Sequence, residues 1–233
     1  MRSISPYFTW LCIRIGFAPN QLTSLMVVCG LLGGVAVALP LSPPEWPWLL
    51  GAGVGALLIQ AYLLLDCSDG EVARFTGKTS VAGVYLDRIG HYLSEVALLV
   101  GLGYRAEGAL QSGGWVELGL VGALGAVLIK AETDNVVVAR AKSGVPVEPV
   151  GGDRALRPRS TPLALARQAA SLLRFHRIIG AVELSLLIVV AAVIDHLRGG
   201  LTATRVLVVA VAVVAVVQTL LHLISILASR RLR

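Results

Sequence analysis

Residues 206–229 read VLVVAVAVVAVVQTLLHLISILAS, a run from Val206 to Ser229 with no formal charge. A helix needs about 20 apolar residues to cross the hydrocarbon core of a bilayer, so this run is long enough to span one. Five further stretches upstream are also largely apolar, Asn20–Leu41, Trp46–Leu65, Ser80–Tyr104, Trp115–Arg140 and Ile178–Ile194, the last three with charged residues within them. The first is too long for a signal-peptide core and has no convincing cleavage site. Across the 233 residues, 56% are hydrophobic and 15% charged, with a mean hydropathy of +0.78. A soluble domain carries about 25% charged residues. These figures exclude a water-soluble globule, which would lack polar surface, and a disordered chain, which would lack apolar residues. The expected fold is all-α: a polytopic membrane protein of six transmembrane helices.

Charge gives the expected orientation. The net charge is +6, and 17 of the 20 basic residues are arginine. Nucleic acid is one partner for a basic surface, but in a membrane protein cytoplasmic loops beside anionic lipid are the better one. Arg140, Lys142, Arg154, Arg157, Arg159, Arg167, Arg174 and Arg177 cluster between the fourth and fifth spans, and Arg230, Arg231 and Arg233 form the tail. By the positive-inside rule both termini and the Asp66 region face the cytoplasm, with Pro40, Pro43 and Pro44 forming a turn on the other side. Tyr7–Phe17 reads as an interfacial helix within a segment 1–18. Residues 142–176 form a cytoplasmic loop, and no repeat or separate soluble domain interrupts a single membrane domain, 1–233. Cys12, Cys29 and Cys67 are too scattered for a zinc site and read as reduced and packed. The abundance of Ala, Val, Gly and Arg suggests a GC-rich bacterial genome, hence a bacterial inner membrane.

The chemistry lies where the second span meets the third. Asp66 and Asp69, three residues apart at an expected helix end, share a face. Gly83, Asp87 and His91 recur every four residues along the third span, and a short turn, Glu71–Thr79, makes the two helices antiparallel neighbours. Three carboxylates and an imidazole thus converge at the mouth of a bundle, inside segments where ionisable groups are expensive and functional. Carboxylates so placed repel one another, and hard divalent cations resolve that conflict while also holding substrate phosphates. Gly70 permits close backbone approach, and Arg74 offers a fork for a phosphate oxygen. The chemistry this implies is metal-assisted attack on a phosphate, with two ions.

The string Asp66-x-x-Asp69-Gly70-x-x-Ala73-Arg74, eight residues, then Gly83-x-x-x-Asp87-x-x-x-His91 resembles the signature of the CDP-alcohol phosphotransferases, DxxDGxxARx8GxxxDxxxD. Every fixed position agrees except the last, where histidine replaces aspartate. Pro19-Asn20-x-Leu22-Thr23 at the start of the first span is also similar to that family. The resemblance implies a transferase that cleaves the diphosphate of a CDP-linked alcohol, most readily CDP-diacylglycerol. It would release CMP and join the phosphoryl-bearing group to a second alcohol. It further implies a homodimer, no nucleic-acid partner, and Mg²⁺ or Mn²⁺ held by Asp66, Asp69, Asp87 and the residue at position 91. Gly70, Ala73, Arg74, Ser80 and Gly83 would form the CDP site, and Arg140 and Lys142 are candidates for the acceptor.

Three roles are open to His91. It is the general base, a nitrogen ligand favouring Mn²⁺, or the mark of a weakened or inactive cation-binding homologue. A CDP-activated polar alcohol as donor and an intramembrane prenyltransferase are the competing functions. Prenyltransferases also place Asp-rich helices on a diphosphate, but they do not require the frame of Gly70, Ala73-Arg74 and Gly83.

Overall fold

The computed structural model describes residues 4–39, 49–144 and 180–228. Among these residues there are seven helices and no strand: α1 Ser5–Ile15, α2 Pro19–Ala38, α3 Leu49–Thr76, α4 Val81–Glu107, α5 Gly114–Lys142, α6 Ala181–Arg198 and α7 Thr202–Ala228. The expected Pro40–Pro44 turn lies outside the described residues. So do the arginines between 154 and 177, the first residues of the expected fifth span, and the tail arginines.

Four helices, α2, α3, α5 and α7, are long and apolar enough to cross a membrane. Their outward faces carry large exposed apolar side chains, such as Leu32 and Val35 on α2 and Val213, Leu220 and Leu221 on α7. Surfaces this apolar mark contact with lipid or protein rather than water. The expected third and fifth spans correspond to α4 and α6, which do not qualify by apolarity. Asp87, Arg88 and Glu95 interrupt α4, and Glu183, Asp195 and Arg198 interrupt α6. One of these charges points inward, Asp195 at 5% exposed, and so does Arg105 at the end of α4, at 1% exposed.

Small residues let the central helices approach closely, as expected where lipid supplies no hydrophobic drive between helices. A Cβ at Gly101 would overlap the carbonyl oxygen of Gly34, and a Cβ at Gly34 would overlap the backbone of Ala97. The crossing of α2 and α4 therefore requires glycine at both positions. Around it packs one apolar cluster that includes Val37, Ile59, Leu98, Leu102, Leu184, Ile188 and Val208. A second, smaller cluster of Cys12, Leu22, Met26, Tyr62, Leu65 and Val72 lies under α1.

Helix α3 corrects the expected boundary. The motif residues Asp66 to Arg74 are not at a helix end but inside a 28-residue helix that continues to Thr76. Nothing between Leu65 and Thr76 breaks a helix, for there is no proline and Gly70 alone is tolerated. The break comes at Gly77, whose φ of 67° is left-handed and suits glycine. The expected Glu71–Thr79 turn thus shrinks to Gly77–Thr79, and Ser80 caps α4 by accepting the Gly83 N–H at 3.0 Å.

Helix α1 spans Ser5–Ile15, two residues earlier than the expected Tyr7–Phe17. It ends at Gly16, also in the left-handed region at φ 87°. Tyr7, Trp10, Leu11 and Ile15 are exposed, as an interfacial helix requires. Its other face is fastened to α3: the Ser5 and Thr9 hydroxyls each donate to a different carboxylate oxygen of Glu71, both at 2.6 Å.

Candidate functional site

Four-residue spacing sets the site on two facing helices. On α3, Tyr62 and Asp66 share a face, and on α4, Asp87 and His91 do. The helices bring these faces together. His91 Nε2 lies 3.1 Å from Asp66 Oδ1 and 3.5 Å from Asp87 Oδ1. One ligand atom from each of the three residues lies within 4.8 Å of the others. On its far side the ring is held: His91 Nδ1 and Tyr62 Oη are hydrogen-bonded, in a direction that follows the ring tautomer. The two rings meet edge-on, at 84° and 5.7 Å between centroids. Tyr62 itself is 3% exposed, so its hydroxyl has little solvent to bond instead.

Asp69, expected as a ligand beside Asp66, is placed differently. It is buried, and its Oδ2 accepts a 2.6 Å bond from the Thr23 hydroxyl of α2. The three-residue group that could hold an ion consists of Asp66, Asp87 and His91. Asp69 lines the adjoining cavity with Asp66 and Asp87. The donor set suits a divalent cation, since two carboxylates and an imidazole converge on one space.

Two cavities meet here. The first, of about 350 Å³, opens between the start of α2, the end of α3 and the start of α4. Its lining includes the expected CDP-site residues Gly70, Ala73, Arg74, Ser80 and Gly83, together with Asn20 and Thr23. Gly70 makes room for the Arg74 guanidinium, which would come within 3.1 Å of a Cβ at that position. Gly83 lies beside Asn20 Oδ1, which a Cβ there would meet at 3.1 Å.

The second cavity, of about 480 Å³, lies between α4 and α5 and is lined by Asp87, Arg88, His91, Tyr92, Lys130, Thr133 and Asp134, with Ile129. Asp87 belongs to both cavities. The cations of the second are matched with acids. Lys130 Nζ lies 2.8 Å from Glu95, and Arg88 pairs with Asp134, which also accepts from Tyr92 Oη at 2.7 Å. Lys130 therefore pairs with Glu95 on α4 rather than with its helix neighbours Glu132 and Asp134. The expected acceptor residues Arg140 and Lys142 lie at the end of α5, beyond the lining of either cavity.

Sequence reasoning passed over Tyr62, Tyr92 and Thr133. Each reads as ordinary filling in an apolar span, and only the packing of a second helix reveals its partner. Glu71 fastens α1. His222 joins α7 to α5 through Thr133 Oγ1 at 3.0 Å. Compared with protein-family models and with curated proteins, the sequence matches none.

Proposed function

We propose that this chain is an integral-membrane CDP-alcohol phosphotransferase, and that the meeting of two cavities at Asp87 is the observation that carries the reading. A transfer between two alcohols needs a donor and an acceptor presented to one reactive centre from different sides. The first cavity, with Asn20, Arg74, Lys78 and Ser80 on its wall, takes the diphosphate of the donor. Val84 lines it, and Phe75, Val81 and Tyr85, each next in sequence to a lining residue, are exposed; apolar surface here favours a lipid-bearing donor such as CDP-diacylglycerol over a polar one. The second cavity presents the acceptor hydroxyl among Tyr92, Thr133 and Asp134.

In the transfer, the acceptor oxygen forms a bond to the phosphorus that carries the donor alcohol. The bond from that phosphorus to the bridging oxygen breaks, and CMP leaves. The hydroxyl proton is taken where the cavities meet, at which Asp87 and His91 are the basic residues. A bound divalent cation, Mg²⁺ or Mn²⁺, would neutralise the carboxylates and the charge growing on the leaving phosphate. Asp66, Asp87 and His91 would hold it, with Asp69 positioned by Thr23 on the donor side.

The full reading has six spans, adding α4 and α6 to the four apolar helices, with the site and both termini in the cytoplasm of a bacterial inner membrane. It also treats the protein as a homodimer. Purified protein in lipid, supplied with CDP-diacylglycerol and a panel of alcohols, should release CMP and form a new lipid detectable by mass spectrometry. Folded protein that releases no CMP from any CDP-alcohol, or that works fully in excess EDTA, would defeat the reading. Cysteines placed singly at Lys142 and at Pro43 in intact cells should label from opposite sides of the membrane. Labelling from one side would require a different number of spans.

A further inference from the structure

We infer that His91 is a metal ligand through Nε2, that Tyr62 is the positioning residue which aims it, and that the site thereby prefers Mn²⁺ to Mg²⁺. The inference shares its cation with the transfer reading but does not depend on the reaction.

His91 has two nitrogens, and each faces a different partner: Nδ1 meets Tyr62 Oη, while Nε2 meets Asp66 and Asp87. A neutral imidazole has one nitrogen lone pair and one N–H. With the lone pair on Nε2, it faces two carboxylates at 3.1 and 3.5 Å, an arrangement that a shared cation makes favourable, whereas an N–H at Nε2 would donate to Asp66 with no ion present. These separations suit a shared ion: donors at right angles in an octahedron with bonds of about 2.1 Å stand about 3 Å apart. The proton then sits on Nδ1 and donates to Tyr62 Oη. Histidine ligands are almost always held this way, with the second nitrogen donating to a fixed acceptor that sets tautomer and orientation.

Tyr62 suits that duty. It is buried, it packs edge-on against the imidazole, and it stands one helical turn before Asp66 on α3. The hydroxyl that aims one ligand and the carboxylate of another are thus fixed on a single rigid helix. A nitrogen in the donor set shifts preference away from Mg²⁺, which favours oxygen and water, toward transition ions. A ring nitrogen that holds a cation takes no proton, which leaves the second carboxylate oxygen of Asp87 as the proton acceptor between the cavities.

The test uses full-length protein in detergent, with Mn²⁺ as probe and Mg²⁺ as competitor. Electron spin echo spectra of bound Mn²⁺ should show nitrogen modulation in the parent and none in His91→Asp, a variant that keeps an oxygen ligand there. His91→Asp should also narrow the preference for Mn²⁺ over Mg²⁺. Tyr62→Phe removes one hydroxyl and keeps the ring, and it should weaken Mn²⁺ binding about 10- to 100-fold, the usual effect of losing such a partner. Parent protein whose Mn²⁺ lacks nitrogen modulation overturns the inference, and that measurement needs no variant to fold. Modulation that persists in His91→Asp, or Mn²⁺ affinity unchanged in Tyr62→Phe, overturns it too. CMP release without nitrogen modulation would leave the transfer reading standing and remove this one; modulation without CMP release would do the reverse.

Discussion

The two ends of the bundle both hold acids, but in opposite states. At the end where α6 meets α7, Asp195 is saturated by its own chain. It accepts the Ala203 and Thr204 N–H groups at 2.6 and 2.9 Å and the Thr204 hydroxyl at 2.6 Å. Two of those are backbone donors in the first turn of α7, so the acid also satisfies a helix N-terminus and its dipole. Its charge also acts on buried Arg105. At the other end, Asp66 and Asp87 turn toward each other across a histidine, at the junction of two cavities. An acid whose oxygens are filled by backbone and hydroxyl donors holds a fold together. An acid left facing another acid is arranged for something that arrives.

That contrast can be broken at either end. The largest effect belongs to the cavity end. Asp66→Asn or Asp87→Asn should cut CMP release on the order of 10³-fold or more, as loss of a charge clamp worth several kcal/mol requires. Thermal unfolding should barely change, because no helix cap is lost. Unfolding of these variants at markedly lower temperature would mean that both ends are structural. Next comes Asp195→Ala, which removes an acid that acts on buried Arg105 and opens a helix terminus. It should destabilise the protein by about 3–5 kcal/mol, read as a fall in Tm, while the molecules still folded keep parental turnover.

Asp69 lies between the two cases, one oxygen held by Thr23 and the carboxylate on a cavity wall. Thr23→Val should reduce turnover about 10-fold, at the low end for losing a partner that orients a ligand, and Thr23→Ser should restore it. The smallest effect concerns α1. Ser5→Ala with Thr9→Ala removes both bonds to Glu71, costing about 1.5–3 kcal/mol for each bond to a charged group. That loss is confined to α1, so faster amide exchange in residues 5–15 should appear with little change in Tm.

Sequence carried the cavity end further than the other. The Asp66, Asp87 and His91 spacing alone placed three groups on two facing helices, because residues four apart share a helical face. The partners across helices were not legible. Thr23 lies 46 residues from Asp69, and Ser5 and Thr9 lie 66 and 62 residues from Glu71. No local rule pairs residues that distant. Tyr62 in an apolar run is indistinguishable from core filling until α4 brings a ring nitrogen to its hydroxyl. The helix end expected at Asp66 and Asp69, before a turn from Glu71, failed because a change from apolar to charged residues marks the exit of a hydrophobic surface, whereas the helix itself stops only where the backbone must, at Gly77. Asp195 drew no attention because a single acid near a span end is commonplace, and its role depends on α7 folding back.

The short link at Gly77–Thr79 bears on how the protein is assembled. Tyr62, Asp66, Asp87 and His91 all belong to one hairpin of consecutive helices, α3 and α4. Closing a loop of this size costs little chain entropy, and contacts close in sequence form early. The group that could hold an ion can therefore be complete as soon as this hairpin forms, before α5 supplies Lys130 and before α7 packs. A cation captured at that stage would bind the hairpin and not the separated helices, and so would stabilise the first half of the molecule while the rest is still being made.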